Sequence, residues 1–238
     1  MSSRFPAGIL LFSFIAINML VVLEDQAAQR ALADSVTQEG PTESDLEEEF
    51  RKTREHFRLS SEFSGTDAEA HIRLAEALHH RGDLTGATEE YQAAIKLNSQ
   101  LTEAHRGLGV IFIDRHNWQG AVDALSIATQ RDPHDAEAFY WLGRSLMAQG
   151  NWKAASEALS TAVRLKPDDA EAYADLGLIR MVQGNPAAAV EALQEAVTLK
   201  PDNADAHALL ETVLTHQQNP EHVTRAARQR LDTMFARE

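Results

Sequence analysis

The chain has 238 residues, of which 44% are hydrophobic, enough for a sizeable core in one or two domains. Its formal net charge of −14 argues against nucleic acid as a partner, because the phosphates would repel it. The sequence contains no cysteine, which excludes disulfides, thiolate metal sites and thiol nucleophiles.

The first predicted element is an apolar helix within residues 1–25. Residues 7–23 carry no charge, and as a helix they would span about 25 Å, near the lower limit for crossing a bilayer core. Arg4 precedes this stretch and Glu24 follows it, so the positive-inside rule places the N-terminus in the cytoplasm. We therefore expect an uncleaved signal anchor, a single-pass membrane protein and a periplasmic location for the rest of the chain.

A cleaved signal is the alternative. The small residues of Ala31-Leu32-Ala33 fit a cleavage site, although they lie farther from the apolar stretch than is usual. Cleavage there would release a secreted or periplasmic soluble protein.

Residues 26–67 are predicted to form an acidic linker with one amphipathic helix at about 44–60. Gly40-Pro41 breaks the chain before it, and Ser44 with Glu47 fits a capping box. Leu46, Phe50 and Phe57 would share one face of this helix. We favour a role as a cap on the array that follows, and the alternative is a helix that docks onto a partner or into a groove.

Residues 68–203 repeat themselves every 34 residues, in units 68–101, 102–135, 136–169 and 170–203. Four columns of small residues and proline carry the period: Pro133, Pro167 and Pro201; Gly109, Gly143 and Gly177; Ala87, Ala121, Ala155 and Ala189; and Ala94, Ala128, Ala162 and Ala196.

The third unit has the pattern Phe139-x2-Leu142-Gly143-x2-Leu146, followed by Ala155-x3-Leu159, Ala162 and Pro167. This pattern resembles the tetratricopeptide repeat. The resemblance implies an all-α fold, a right-handed α-solenoid in which each unit is a pair of antiparallel helices, A and B.

The turn between helices A and B has its own signature. One polar residue per unit is predicted to be the N-cap of helix B: Asp83, Asn117, Asn151, Asn185 and Asn219. Pro186 and Pro220 follow at the first helical position, where a missing N–H costs little. The alanines at 87, 121, 155 and 189 are expected where the two helices cross, because larger side chains would separate them.

Residues 204–238 are predicted to be a degenerate repeat that caps the C-terminus. Leu210, Leu214 and Asn219 keep the register, but Glu211 stands in place of the glycine and Arg230 in place of the small alanine. A glutamate cannot be buried unpaired in such a contact.

The resemblance also implies a concave groove lined by helix A, into which certain positions of each unit point. The residues expected to bind a partner there are Arg106, Val110, Ile113, Tyr140, Arg144, Met147, Ala174, Leu178, Met181 and Val182. The groove is apolar at its C-terminal end, so we expect an extended peptide or an amphipathic helix of a partner to bind there. The alternative is that these residues are core. If they bind a partner, glutamate at 178 and 181 should abolish binding with little effect on stability.

No catalytic motif is recognisable, and we expect neither an enzyme nor a cofactor, metal site or small-molecule substrate. His71, His105 and His207 share one repeat position with aromatic residues and are interpreted as structural. The predicted function is that of a membrane-anchored scaffold or adaptor whose groove binds a protein or peptide partner in the assembly of an envelope complex. The alternative is an exported, chaperone-like holder of client polypeptides.

Overall fold

A computed structural model describes residues 68–216 and 218–236. In these ranges the chain forms ten α-helices and no strand. In chain order they are α1 (Ala68–His80), α2 (Leu84–Leu97), α3 (Thr102–Asp114), α4 (Trp118–Arg131), α5 (Ala136–Ala148), α6 (Trp152–Leu165), α7 (Ala170–Val182), α8 (Pro186–Leu199), α9 (Ala204–Thr215) and α10 (Pro220–Met234). Odd-numbered helices are helix A of each unit and even-numbered ones helix B, so the expected all-α solenoid of repeats is confirmed.

The predicted N-caps of helix B are confirmed. Each of the five side chains accepts a hydrogen bond from the backbone N–H three residues later, as in the 2.8 Å contact from Gly86 N to Asp83 Oδ1. Pro186 and Pro220 occupy the first turn of their helices. The same bond recurs at five places, which fixes where each helix B begins.

The A–B turn also requires a left-handed residue directly before the N-cap. Gly82, Gly150 and Gly184 have φ values of 80°, 74° and 71° at this point. His116 stands in the same slot of the second unit with φ 54°. A residue with a Cβ has a conformational cost there that glycine does not.

Within the second, third and fourth hairpins, a glycine of helix A packs directly against a leucine of helix B. We call this contact the glycine–leucine lock. A Cβ at Gly109, Gly143 or Gly177 would stand 2.5, 2.7 or 2.5 Å from Cγ of Leu125, Leu159 or Leu193. The crossing alanines Ala87, Ala121, Ala155 and Ala189 are fully buried, as the sequence predicts. Small residues on both sides therefore set the close approach of the helices.

The fifth hairpin departs from this arrangement. Helix α10 packs chiefly on α7, helix A of the preceding unit, and has few contacts with α9 beside it in the chain. Its buried Val223, Ala227 and Leu231 join the hydrophobic cluster that also contains Leu178 and Met181. The C-terminal segment thus covers α7 instead of closing a fifth regular hairpin.

Among the described residues, no helix is both long and apolar enough to cross a membrane. The predicted anchor at 1–25, the acidic linker and the helix at about 44–60 all lie outside the described residues.

Candidate functional site: the groove lined by helix A

Successive A helices lie side by side: α1 contacts α3, α3 contacts α5, and α5 contacts α7. They form one wall of a groove, into which the second, fifth, ninth, twelfth and thirteenth residues of each unit are predicted to point. The two ends of this wall differ sharply. One is open and polar, and the other is covered by α10.

The N-terminal pocket is a cavity of about 240 Å³ between α1, α2, α3 and α5. Charged, histidine and aromatic side chains line it, together with one glycine and one valine: Glu76, His79, His80, Tyr91, Glu103, Arg106, Gly107, Val110, Glu137 and Trp141. Of the predicted binding residues, the pocket brings together Arg106 and Val110.

Arg106 is held in place across the groove. Its Nη1 forms an ion pair with Glu137 Oε2 and lies 3.6 Å from Asp135 Oδ1. On the far side, His79 Nε2 contacts Asp114 Oδ2 at 2.6 Å. These pairs fix the charged rim, and they leave the guanidinium of Arg106 already neutralised by carboxylates.

Two further carboxylates, Glu76 and Glu103, have no ion-pair partner among the described residues. Burial raises the pKa of Glu76 above its ordinary value, and the charge of Glu103 adds to this, while Arg106 opposes it. Burial also raises the pKa of Tyr91, so its phenol stays neutral. Among the described residues that line the pocket, three glutamates face one guanidinium, so the pocket carries excess negative charge beside the rings of Tyr91 and Trp141. This arrangement suits a basic side chain of a peptide.

Sequence reasoning missed Tyr91 and Trp141. Tyr91 belongs to helix B, yet its ring reaches the pocket because Gly107 leaves room for it, where a Cβ would collide with the ring. The signal was present in the sequence. Gly107 is a glycine outside the repeating column, and the chain needs no conformational freedom at that helical position.

In the middle of the groove, an ion pair lies next to two aromatic rings. Arg144 Nε lies 3.5 Å from Asp175 Oδ2, and the guanidinium carbon lies 5.9 and 5.6 Å from the ring centres of Tyr140 and Trp141. Asp175 is buried, and burial raises its pKa to about 6 despite the opposing charge of Arg144. Burial likewise raises the pKa of Tyr140.

The C-terminal groove face consists of Met147, Leu178, Met181 and Val182. All four are at most 5% exposed, and they belong to the cluster that includes Val223, Ala227 and Leu231 of α10. Ala174 and Ile113 are half-buried. The binding role of these residues stays a prediction, and in this arrangement a partner cannot reach the C-terminal groove face.

The histidines at the shared repeat position differ in burial. His105 is buried, and its Nε2–H donates to Ser99 O at 3.2 Å. His207 is exposed but makes the equivalent bond to Pro201 O at 2.9 Å, while His71 contacts Glu90 at 2.7 Å. These bonds tie each helix A to a neighbouring segment. Within the described part of the chain, no group of three His, Asp or Glu side chains is arranged to hold a metal ion.

Two family models match the chain. The model of the Cilia and flagella-associated protein 70 C-terminal domain, a tetratricopeptide-repeat (TPR) domain, matches residues 23–185, more than half of the chain. A tetratricopeptide repeat model matches residues 170–203, the fourth unit. The chain belongs to this TPR family. No curated protein matches it.

Solved structures of other TPR proteins are similar to this chain. YrrB, described as a TPR protein with an unusual peptide-binding site, has a TM-score of 0.63 and 24% identity, covering 74% of this chain and 91% of its own. PilF of Pseudomonas aeruginosa has a TM-score of 0.61 and 18% identity, covering 81% and 89%. MamA of Desulfovibrio magneticus RS-1 has a TM-score of 0.58 and 20% identity, covering 65% and 87%. These likenesses show the fold, and the TPR fold is that of a protein-interaction scaffold.

Proposed function

We propose that the chain is a membrane-anchored scaffold whose helix A groove binds a segment of a partner protein during assembly of a membrane or envelope complex. The observation that supports a binding role for the groove is the N-terminal pocket, an open cavity of about 240 Å³ on a TPR array. The support for the anchor is the uncharged sequence of residues 7–23.

The pocket favours a basic, extended segment as the partner. Its carboxylates Glu76 and Glu103, which have no ion-pair partner within the described ranges, offer charge-assisted hydrogen bonds, and Trp141 offers a face for a cation. A peptide bearing lysine or arginine would meet both features at once. The acidic net charge of the whole chain adds a long-range attraction to such a partner.

Affinity capture from native membranes tests this function with a matched pair of variants. Val110→Lys places a positive charge in the pocket lining, whereas Ile127→Lys places the same charge on a helix B residue that is 37% exposed. We expect one defined partner to copurify with the wild type and with Ile127→Lys, and to be lost with Val110→Lys, because the added charge repels a basic segment. Equal capture by both variants would exclude the pocket, and many partners in place of one would favour a holder of clients.

The anchor is tested separately. Intact mass of the native protein shows whether Met1 remains, and carbonate extraction shows whether the chain stays in the membrane. An anchored scaffold retains its N-terminus and resists extraction. A mature chain that begins near Asp34 and appears in the soluble fraction contradicts the anchor but leaves the groove proposal intact.

A further inference from the structure

Helix α10 is helix B of the fifth unit, but it packs mainly outside its own hairpin. The helices α2, α4, α6 and α8 pack most closely on helix A of their own unit, but α10 packs chiefly on α7. Near its start, Thr224 Oγ1 donates to Met181 O at 3.0 Å. Just beyond its end, the rings of Phe235 and Trp118 form a T-shaped contact with centroids 5.5 Å apart. The segment therefore runs along the array from the fourth unit to the second.

The repeat register explains why α10 is free to leave α9. One period after Gly177 stands Glu211, which is exposed, and one period after Leu193 stands Ala227. Both halves of the glycine–leucine lock are thus missing from the fifth hairpin. Helix α9 buries only Ala206 and Val213, and Leu214 is 49% exposed.

What α10 covers is the C-terminal groove face. Its buried residues are Val223, Ala227 and Leu231, spaced four apart, and they share a cluster with the four residues of that face. The outer side of α10 is polar and exposed: Glu221, Arg225, Arg228, Gln229 and Asp232. An amphipathic helix laid in an apolar groove is how such grooves take the helix of another protein.

The attachment of α10 is weaker than that of the other B helices, because α10 packs less closely on α7 than each of them packs on helix A of its own unit. Its buried stripe is Val223, Ala227 and Leu231, with Met234 and Phe235 partly buried against the same cluster. The ion pair between Arg230 and Asp205, at 2.5 Å, lies on the surface, where water screens it. Few apolar contacts and exposed polar ones mark a segment that opens before the rest of the fold.

We propose that α10 is an exchangeable occupant of the C-terminal groove face. A partner helix of the same kind, with aliphatic residues at i, i+4 and i+8 and a charged outer side, binds there by displacing α10. The existence of such a partner rests on the proposed function. The exchange deepens that function, because a partner reaches the C-terminal groove face only when α10 has been displaced. The apolar face stays covered until that partner arrives, which protects it from non-specific association.

A reversible lock tests the exchange in the full chain. A Cβ at Gly184 would lie 4.0 Å from Thr224 Oγ1, so Gly184→Cys with Thr224→Cys places two thiols within reach of a disulfide. Cysteine at the left-handed Gly184 has the conformational cost that His116 bears in the second unit, and this cost is present in both the oxidised and the reduced protein. The natural sequence has no cysteine, so no other pairing competes. The probe is a fluorescein-labelled peptide of residues 219–236, and its binding is followed by anisotropy with the same protein oxidised and then reduced.

We expect the reduced protein to bind the peptide at least tenfold more tightly than the oxidised protein. Leu231→Glu should also bind it at least tenfold more tightly than the wild type, because the resident helix is loosened. The matched control is Gln229→Glu, which adds the same charge on the exposed side of α10 and should behave as the wild type. Because the disulfide arm compares one protein with itself, a folding defect in Leu231→Glu cannot decide the result.

Equal binding by the oxidised and reduced proteins overturns the proposal. So does a stable dimer of the Leu231→Glu variant with no peptide binding, because α10 would then be exchanged between copies of the chain. The outcome is independent of the proposed function: failed partner capture with intact peptide exchange rejects the function alone, and the reverse result rejects the exchange alone.

Discussion

Leu159 lies against Gly143 so closely that a Cβ on the glycine would stand 2.7 Å from Leu159 Cγ and 2.9 Å from Cδ2. Gly143→Ala should therefore destabilise the protein by about 1–2 kcal/mol, because overpacking outweighs the gain in helix propensity of about 1 kcal/mol. Chemical denaturation of both proteins measures the difference in their free energy of unfolding. In a double-mutant cycle with Leu159→Ala, the double variant should lose less stability than the two single variants together, and simple additivity would contradict the contact.

Restoring the lock in the fifth hairpin should move α10. Glu211→Gly with Ala227→Leu recreates the pair found at Gly177 and Leu193, so α10 should pack on α9. When these changes are added to the protein that carries Gly184→Cys and Thr224→Cys, the yield of the disulfide under mild oxidation should fall severalfold. The single variants, each with half of the lock, are the controls. An unchanged yield with the full lock would mean that something other than the missing lock holds α10 on α7.

Leu178→Glu with Met181→Glu should be strongly destabilising, which reverses the expectation from sequence. Both side chains are at most 1% exposed, so each glutamate would be an uncompensated buried charge. We expect a loss of more than about 3 kcal/mol, seen as a large fall in Tm. Ile127→Glu, at a position 37% exposed, is the control and should leave Tm nearly unchanged. A stable double variant would argue against the burial of this face.

Asp175 should make stability depend on pH. Its pKa rises from 3.8 to about 6 on folding, because burial and the nearby Glu171 and Asp169 outweigh Arg144. The native state thus binds the proton more tightly, so the contribution of this group is fully present below pH 3.8 and is lost as pH rises through about 6. A pKa change of this size corresponds to a free energy on the order of 3 kcal/mol.

The variant Asp175→Asn isolates this contribution, since asparagine does not titrate. Stability of the wild type relative to Asp175→Asn should increase when the pH is lowered from about 7 to about 5, the interval that spans the raised pKa. Thermal melts of both proteins across that interval measure the difference. A constant difference would show that Asp175 keeps an ordinary pKa in the native protein.

His116→Gly should stabilise the second unit. His116 has φ 54° in the slot that holds glycine in the first, third and fourth units. Glycine removes the left-handed penalty but loses the edge contact of the imidazole with Trp118, whose centroid is 5.4 Å away. His116→Ala loses the same contact and keeps a Cβ, so glycine should exceed alanine by about 1 kcal/mol in denaturant unfolding. Equal stabilities would refute the strain.

The 34-residue period determined most of the fold without any coordinates. The N-caps such as Asn151, the proline at 186 and the crossing alanines each act within one hairpin, so local spacing was enough to place them. The glycine column indicated only that another helix lies close to helix A at those positions. Part of the candidate site came from the resemblance to the tetratricopeptide repeat, which implies that the positions of Arg106 and Val110 point into the groove; both residues line the N-terminal pocket.

Only the tertiary structure decided where the last helix, α10, packs. The sequence showed that Glu211 breaks the glycine column, but a broken contact says only where α10 does not pack. Its position on α7 depends on apolar surface far away in the chain, at Met147 and Leu178, competing for the stripe of Val223 and Leu231. Hydrophobic burial has no direction and no fixed spacing, so the periodic pattern that specifies each hairpin carries no information about such a long-range contact.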